Sequence, residues 1–522
     1  MENNSIAFIT CVNDEKMYGE CCRYIDNLNV PNGYKIEKIP VRNSRSITSG
    51  YNEAIERSKS RYKVYIHQDV FIINKNFIED TLNIFLKDRS IGLLGVIGAE
   101  VLSTNAIWWE SKHLIGKTYE IRSEGINLLH FNNAKDEESY YEVQCVDGLI
   151  MMTQFDVKWR DDIFNGWHFY DISQCIEFKK AGYKVAIPNQ ENPWCIHDVG
   201  VVNVEEYEEY RQVFIETYSK DIFPLVSILI PTHNRPEYFK IALESAVNQT
   251  YKNIEIIVGD NGDDDKTEKI VMDYIARYDF IKYIDNKTEE NKSQFNNWGA
   301  PFRESKGEYI SYLLDDDVFH VNKLEKMINY FIQYENVTLV TSYRQLIDET
   351  GKFLYDIQAT KPIVNDTSII KGENIGLAML TSCTNFIGEP STAIVRRNCI
   401  NEVFGTYIDK WYEDYDIAQW LECCRKGDVV YIVETLNYFR LHGGNDQFNV
   451  NTQVYGCSLL YSIISASYAN KQFIVKEDDL KVALARWLSI TEPVINNNKA
   501  ETNQNYLELK RNMIKVKDIL QS

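Results

Sequence analysis

Short apolar runs bounded by turn residues alternate along this chain with stretches whose apolar residues recur at helical spacing. Ile6 to Cys11, Tyr62 to Ile66 and Ile91 to Ile97 read as buried strands. Between them, Ser49 to Ser58 and Asn76 to Leu86 read as helices. The pattern restarts after Pro224. Leu225 to Ile230, Ile254 to Val258 and Tyr309 to Leu314 are strand-like, and Tyr238 to Val247 and Lys266 to Ala276 are helix-like. This alternation predicts an α/β fold with mostly parallel sheets. The acidic, tyrosine-rich segment Val204 to Tyr218 reads as a connecting helix. From about Val450 the pattern is helical only, with a break at Ser489 to Pro493. Asn505 to Leu520 reads as a terminal amphipathic helix, packed on its own domain or serving a homodimer contact. The expected division is a domain over 1–202, a connecting helix over 203–223, a second domain over 224–449 and a helical region over 450–522.

Composition narrows the partners. At 522 residues the chain exceeds one hydrophobic core, so more than one domain is expected. A hydrophobic fraction of 44%, with 34 tyrosines and 23 phenylalanines, is that of a folded protein. The net charge of −20 argues against a nucleic acid as main partner, which needs a basic face. It leaves room for a phosphorylated small ligand, because one divalent cation and a few donors can hold a diphosphate inside an acidic protein. The N-terminus lacks a basic stretch followed by an apolar run. No window approaches the roughly 18 consecutive apolar residues of a membrane span. The expectation is a cytoplasmic protein, at most peripheral to the inner face of the membrane. The 11 cysteines are scattered, without a CxxC pair, and are expected as reduced thiols filling the core.

Three polar turns follow strands in the second half. The first is Pro231, Thr232, His233, Asn234 and Arg235. The second is Gly259, Asp260, Asn261 and Gly262. In an open parallel sheet, ligands bind beyond the carboxyl ends of the strands. Asp260 is placed to accept the imide N–H of a uracil ring, although a tight turn before a helix is the plainer reading of Asp260 and Asn261 alone. The third turn, Asp315, Asp316 and Asp317, puts three carboxylates together. They repel one another unless something positive sits between them, and a hard divalent cation bridging to substrate phosphates answers that.

The runs SILIPTHNR, ALESAVNQTYKNIEIIVGDNG and GEYISYLLDDD together resemble family 2 glycosyltransferases of the GT-A fold, over about Pro224 to Asn449. The resemblance implies a nucleotide-sugar donor such as a UDP-hexose or UDP-hexosamine, a Mn2+ or Mg2+ ion, and inversion at the anomeric carbon. By the family's pattern, Thr232 and His233 line the nucleoside pocket and Asp260 holds the base. Asp315 and Asp316 contact ribose or diphosphate, and Asp317 binds the metal. The run KWYEDYDIAQWLECCRKGD resembles the family's acidic pair at a helix start, Glu413 and Asp414, with Asp414 as catalytic base. Capping and dipole complementation is the plainer role for that pair. YFRLHGG places Arg440 and His442 after a strand, and a histidine there reaches the metal or diphosphate in related enzymes. Glu389 to Thr392 looks like the acceptor-side turn. The sequence departs from the pattern at QFNNWGA, where Asn296 stands in place of an arginine, leaving Lys292 or Arg303 to compensate.

The first half repeats this order. VYIHQDVFI with Asp69 mirrors SYLLDDDVFH with Asp317, HFYDISQC with Asp171 mirrors EDYDIAQW with Asp416, and CIHDVG with His197 mirrors FRLHGG with His442. The first interval agrees to within three residues and the second is identical. The segment also resembles glycosyltransferase-like domains with a DG-L turn, here Asp147, Gly148 and Leu149, and an HFYD helix start, here His168 to Asp171. The expected fold is therefore two tandem GT-A, Rossmann-like domains with a helical C-terminal extension. The copy lacks a counterpart of Asp260 and has Phe169 where Asp414 stands. A second metal site at Asp69 and His197, with Asp171 as base, and a degenerate acceptor-binding or supporting domain both stay open.

The leading expectation is an inverting, metal-dependent glycosyltransferase acting on a hydroxyl of a cell-surface glycan or a surface protein such as flagellin. A polymerase-like enzyme with two active sites and a non-catalytic sugar or polymer binder are the alternatives. A nucleotidyltransferase ranks low, because PTHNRPEY lacks the glycine-rich basic loop of that class.

Overall fold

The computed structural model describes residues 2–131, 139–200, 204–288, 290–357, 359–401, 403–413, 415–444, 450–497 and 504–521. The expected catalytic residue Asp414 and the expected boundaries at 202/203 and 449 lie outside them. The chain divides into two units, Met1–Ile222 and Phe223–Ser522.

The first unit opens with β1 (Glu2–Val12), α1 (Glu15–Asp26), β2 (Lys35–Arg42), α2 (Ile47–Arg57) and β3 (Ser60–Ile66). β1 pairs in parallel with both β2 and β3, as the alternation predicts. β4 (Val70–Ile72) and α3 (Phe77–Lys87) follow. The run expected as one strand from Ile91 to Ile97 divides into β5 (Ile91–Gly95) and β6 (Ile97–Ala99), which join different sheets. The glycines permit the division. A side chain at Gly95 would overlap Val146, and one at Gly98 would overlap the Cys145 carbonyl. Next come β7 (Leu114–Arg122), β8 (Gly125–Phe131), β9 (Tyr140–Glu142), β10 (Cys145–Val146), β11 (Ile150–Thr153), α4 (Tyr170–Lys180), β12 (Lys184–Pro188) and β13 (Cys195–Asp198). The main sheet runs β2-β1-β3-β11-β5-β12-β9, and the second runs β10-β6-β7-β13-β4 with β8 on β7. The sheets are mixed rather than mostly parallel. β11 enters antiparallel to both β3 and β5, after the chain has passed through the second sheet. The acidic segment forms α5 (Tyr207–Ile222), which packs within this unit: Phe214, Ile215 and Tyr218 are buried, and Tyr218 donates to Glu177.

The second unit starts with β14 (Val226–Thr232), α6 (Pro236–Val247), β15 (Ile254–Asp260), α7 (Lys266–Ile275) and β16 (Ile281–Asp285). α8 (Gln294–Glu304), β17 (Tyr309–Tyr312), β18 (Val318–Phe319), α9 (Lys323–Gln333) and β19 (Val337–Ile347) follow. Then come β20 (Ser368–Ile370), α10 (Gly372–Ser382), β21 (Ile394–Arg396), β22 (Thr406–Tyr407), β23 (Lys410–Trp411), α11 (Asp416–Lys426) and β24 (Asp428–Arg440). The large sheet runs β16-β15-β14-β17-β21-β19-β24-β18, with β20 on β24. Its β16 to β17 half is parallel, and β21 is antiparallel to both its neighbours.

α12 (Val450–Ala469), α13 (Glu477–Asn497) and α14 (Gln504–Gln521) close the chain. Ile463, Ile464, Trp487 and Leu509 join one hydrophobic cluster with Leu229, Ile310 and Trp420 of the sheet unit, so the helices share its core. The expected break at Ser489 to Pro493 does not occur, since α13 runs through Pro493. Ala483, Trp487, Thr491 and Ile495 are buried at four-residue spacing across the proline, and this packed stripe outweighs the lost hydrogen bond. All 11 cysteines are free thiols, most of them buried. Among the described residues no helix is long and apolar enough to cross a membrane.

Candidate active site

In the second unit the carboxyl ends of β14, β15 and β17 open into a pocket of about 890 Å3. β14 ends at Thr232. Asn234 then takes a positive φ of 54°, which asparagine tolerates, and Pro236 starts α6 with its fixed φ. This tight exit turns Arg235 toward the acidic turn. Its Nη1 donates to Asp315 Oδ1 at 3.1 Å and to Asp316 Oδ2 at 2.9 Å, and its Nη2 donates to the Gly444 carbonyl at 3.1 Å. Asp315 Oδ2 accepts from the Thr232 hydroxyl at 3.0 Å and from the His233 N–H at 3.2 Å. Burial, then the charge of Asp316, pushes the Asp315 carboxyl up to about 6, and Arg235 partly offsets this.

The three aspartates have different surroundings. Asp315 and Asp316 line the pocket. Asp317, the expected metal ligand, is fully buried and does not line it. Its Oδ1 accepts the Arg440 N–H at 3.1 Å, while Oδ2 is buried without a hydrogen-bond partner. Burial and then Asp316 hold its carboxyl well above the usual range. Asp317 departs from the expected placement at the pocket surface because the turn after β17 ends the strand alternation: its N–H bonds back to the Leu314 carbonyl and its side chain turns inward. Asp316 is the one that meets His442, whose Nε2 lies 2.9 Å from Asp316 Oδ2 and whose Nδ1 accepts the Gly444 N–H at 3.1 Å. Arg440 is a strut: its Nε donates to the Asp316 carbonyl at 2.8 Å, and its guanidinium lies over the Tyr238 ring.

Asp260 also departs from expectation. It is fully buried, and its oxygens accept from the Gly262 N–H at 2.8 Å and the Tyr283 hydroxyl at 2.9 Å, with Lys287 at 3.5 Å. Asn261, not Asp260, reaches the pocket. Asn296 turns outward to the Glu290 carbonyl, and its neighbour Asn297 takes the pocket wall, donating to the Thr232 carbonyl at 3.1 Å. Gln294 and Trp298 line it too, and sequence reasoning missed all three. Their signal lay in the same QFNNWGA run, shifted along the helix. Lys292 lines the pocket but pairs with Asp263 at 2.6 Å, and Arg303 does not line it.

On the far wall, Asp416 and Glu389 face the pocket. Asp416 opens α11. Its Oδ2 accepts from Asn385 at 2.8 Å and its Oδ1 from the Ile417 N–H at 2.7 Å. Burial, then the charge of Glu389, pushes its carboxyl up to about 7. Glu389 pairs with buried Arg344 at 2.6 Å. Glu413 is exposed, accepts the Tyr455 hydroxyl at 2.7 Å and does not line the pocket. Asp414 lies outside the described residues.

The first unit builds its own version. β13 pairs with β4 so that His197 stands opposite Val70, bringing its Nε2 to 3.7 Å from Asp69 Oδ1. His67 Nδ1 is 4.0 Å from the same oxygen, which is buried without a hydrogen-bond partner. Among the described residues, His67, Asp69 and His197 form the one cluster of three such side chains able to hold a metal ion. Burial pulls the His67 imidazole down to about 4. Gln68 Oε1 accepts the N–H groups of Asn13 and Asp14 at 3.0 and 2.9 Å, as Asp315 does for His233. Gln68 therefore takes the part of Asp315 and Asp69 that of Asp316, one residue off the register read from the sequence. Asp171 accepts the Gly148 N–H at 3.0 Å, and burial pushes its carboxyl and that of Asp147 up to about 6.

Comparison with known proteins follows the same division. Residues 7–218 match the Glycosyltransferase like family, and residues 227–404 match Glycosyl transferase family 2. An uncharacterized glycosyltransferase of Rickettsia bellii is 28% identical over 267 residues, 51% of this chain and 36% of its own. The Escherichia coli UDP-Glc:alpha-D-GlcNAc-diphosphoundecaprenol beta-1,3-glucosyltransferase WfaP is 31% identical over 228 residues, 43% of this chain and 80% of its own. The chain spans between 36% and 65% of the length of the first curated relatives it matches. Among solved structures, S. aureus TarS 1–349 in complex with UDP-GlcNAc overlaps 57% of this chain and 90% of its own at 13% identity and a TM-score of 0.37. That overlap is too loose to add to the assignment. The sequence matches carry it: the chain belongs to the glycosyltransferases, with a glycosyltransferase-like domain first and a glycosyl transferase family 2 domain second.

Proposed function

We propose that the second unit transfers a sugar, with inversion, from a nucleotide-sugar donor to a hydroxyl of a cell-surface glycan. The observation that carries this reading is one pocket with two unlike walls. Asp315, Asp316 and Arg235 cluster on one side, with His442 behind them against Asp316, and Asp416 and Glu389 lie on the other. A donor diphosphate fits the first wall and an acceptor hydroxyl the second. Arg235 is within reach of phosphate oxygens, and asparagines 261 and 297 with Trp298 offer amide and aromatic contacts for a base. Uridine diphosphate is the favoured carrier, supported by the donor in the name of the Escherichia coli relative.

The donor set suits a divalent cation such as Mn2+ or Mg2+. Two pocket carboxylates share a single guanidinium, and an imidazole adjoins them. Asp316 and His442 would hold the ion, which supplies charge stabilisation to the departing diphosphate. Asp416 takes the acceptor proton: it faces the pocket, and a carboxyl near neutrality exchanges a proton readily at physiological pH. Asn385 and the Ile417 N–H fix its orientation. The His67, Asp69 and His197 cluster also fits an ion by its nitrogen and oxygen donors. The pocket beside that cluster is much smaller, about 320 Å3, and no lysine or arginine lines it among the described residues, which favours a single donor site in the second unit.

Hydrolysis of UDP-sugars by the full chain, with and without Mn2+, tests this reading. Asp316→Ala is expected to abolish the metal-stimulated reaction. Full activity of that variant in the presence of a chelator would refute the site.

A further inference from the structure

We infer that the first unit's pocket binds a pyranose ring of a glycan, not a second nucleotide-sugar. The inference rests on the pocket's own chemistry and on the chain's membership of the glycosyltransferases.

Trp109, Trp167, Tyr207 and Phe169 wall this pocket, and Asp147 and Asp171 are recessed in it. The aromatic rings support one another: Tyr207 lies 5.7 Å from Trp109 and 4.9 Å from Phe169, centroid to centroid. Yet Trp109 is 50% exposed and Trp167 47% exposed. Two indoles left half in water at the mouth of one pocket form an exposed apolar patch of the kind that marks a binding surface.

The combination selects its ligand. A pyranose has an apolar face of C–H groups, which stacks on an indole, and a rim of hydroxyls, which donate to carboxylates. Asp147 Oδ1 accepts the Leu149 N–H at 2.9 Å and Asp171 Oδ2 the Gly148 N–H at 3.0 Å, so the backbone fixes both groups while they still border the pocket. A nucleoside diphosphate is disfavoured on two counts. Its phosphates would meet two carboxylates, and the basic side chains among the described lining residues are the histidines His67, His168 and His197, with no lysine or arginine to pair with a phosphate directly. The volume of about 320 Å3 compares with about 890 Å3 in the second unit, and lies at the small end of the roughly 300–1,000 Å3 range of ligand pockets.

The test titrates the full chain with glucose, N-acetylglucosamine, cellotriose and chitotriose, reading tryptophan fluorescence and heat. Asp316→Ala is used as background, to remove the second unit's donor site. At least one sugar of the panel is expected to bind. Trp109→Ala and Trp167→Ala are each expected to weaken it roughly tenfold, the scale of one lost aromatic contact. Trp109→Phe should recover part of the loss, and Ile126→Ala, at an exposed site of β8 outside the pocket, should bind as the parent does. Thermal unfolding at the parental temperature shows that the tryptophan variants are folded, and Trp109→Phe serves the comparison if an alanine variant is not. Failure of every sugar to bind overturns the inference. So does displacement of the sugar by UDP, or binding of choline in the sugar's place, since an aromatic cage with carboxylates also suits a cation. The readout is sugar binding, so it stands apart from donor hydrolysis, whose failure would sink the proposed function instead.

Discussion

Replacing Asp416 by asparagine exchanges a group that can charge for one of the same shape that cannot. In the native protein both Asp416 oxygens accept hydrogen bonds, from Asn385 at 2.8 Å and from the Ile417 N–H at 2.7 Å. Burial, and then the neighbouring Glu389 carboxylate, push its carboxyl from 3.8 to about 7. Each pKa unit corresponds to about 1.4 kcal/mol, so charging it in the folded state costs at most about 4 kcal/mol more than in the unfolded chain. The folded-state value is the raised one. Its contribution to stability is therefore complete below the unfolded value of 3.8 and is lost as pH rises through about 7. Asparagine resembles the neutral carboxyl at every pH. The stability of Asp416→Asn relative to the parent should therefore climb across that window, by up to about 4 kcal/mol, and stay level above it. Activity should move the other way. Loss of a general base typically costs about 10²–10⁴-fold in rate, and the parent's transfer rate should rise with pH through about 7 while the residual rate of the variant does not. Urea unfolding and UDP-sugar transfer, each measured across this pH range, provide both readings. A variant with the parental rate would remove Asp416 from proton transfer and direct attention to Asp414. A relative stability that is flat with pH would refute the burial argument itself.

Arg235→Ala leaves Asp315 and Asp316 facing each other without a cation. It should cost roughly 1–3 kcal/mol, more at pH 8 than at pH 5, because the Asp315 carboxyl charges through about 6; thermal unfolding at the two pH values reads this. His442→Ala should weaken Mn2+ dependence of donor hydrolysis about 10–100-fold in metal concentration, with the UDP-sugar KM at saturating metal less affected; a metal titration decides it. Asp317→Asn keeps the shape of a carboxyl whose charging burial disfavours, so donor hydrolysis should persist within about threefold, below roughly 0.7 kcal/mol. Pro493→Ala should stabilise the second unit by about 1–3 kcal/mol by restoring a mid-helix hydrogen bond in α13, seen as a higher unfolding temperature.

The sequence makes strand ends legible far better than the side chains beyond them. Apolar runs place β14, β15 and β17 to within a few residues, because burial enforces the pattern as long as the strand lasts. Alternation stops at the turn, and with it the rule for which way a side chain faces. Hence Asp317 and Asp260, each next to a pocket residue in sequence, turn inward, while Asp316 and Asn261 face the pocket. The same slip of one residue separates Asn296 from Asn297. Pro493 failed as a breaker for the opposite reason: its helix is held by long-range packing that no local signal reports.

The two acidic turns show what a repeated motif order does and does not carry. In both units a side-chain oxygen of the residue before the key aspartate caps the exit of the first strand: Gln68 over Asn13 and Asp14, and Asp315 over Thr232 and His233. In both, the next aspartate lies beside the late histidine, Asp69 by His197 and Asp316 by His442. The fold thus preserves the geometry, but the charge around it differs. The second unit sets Arg235 between two carboxylates. The first replaces one of those carboxylates with the neutral Gln68 and sets His67 beside the other. A phosphate-bearing ligand gains from a guanidinium at that position, so the two sites offer such a ligand different charge. Motif order therefore places the matching residues of each unit, and the residue identity at each position sets the charge that a ligand meets there.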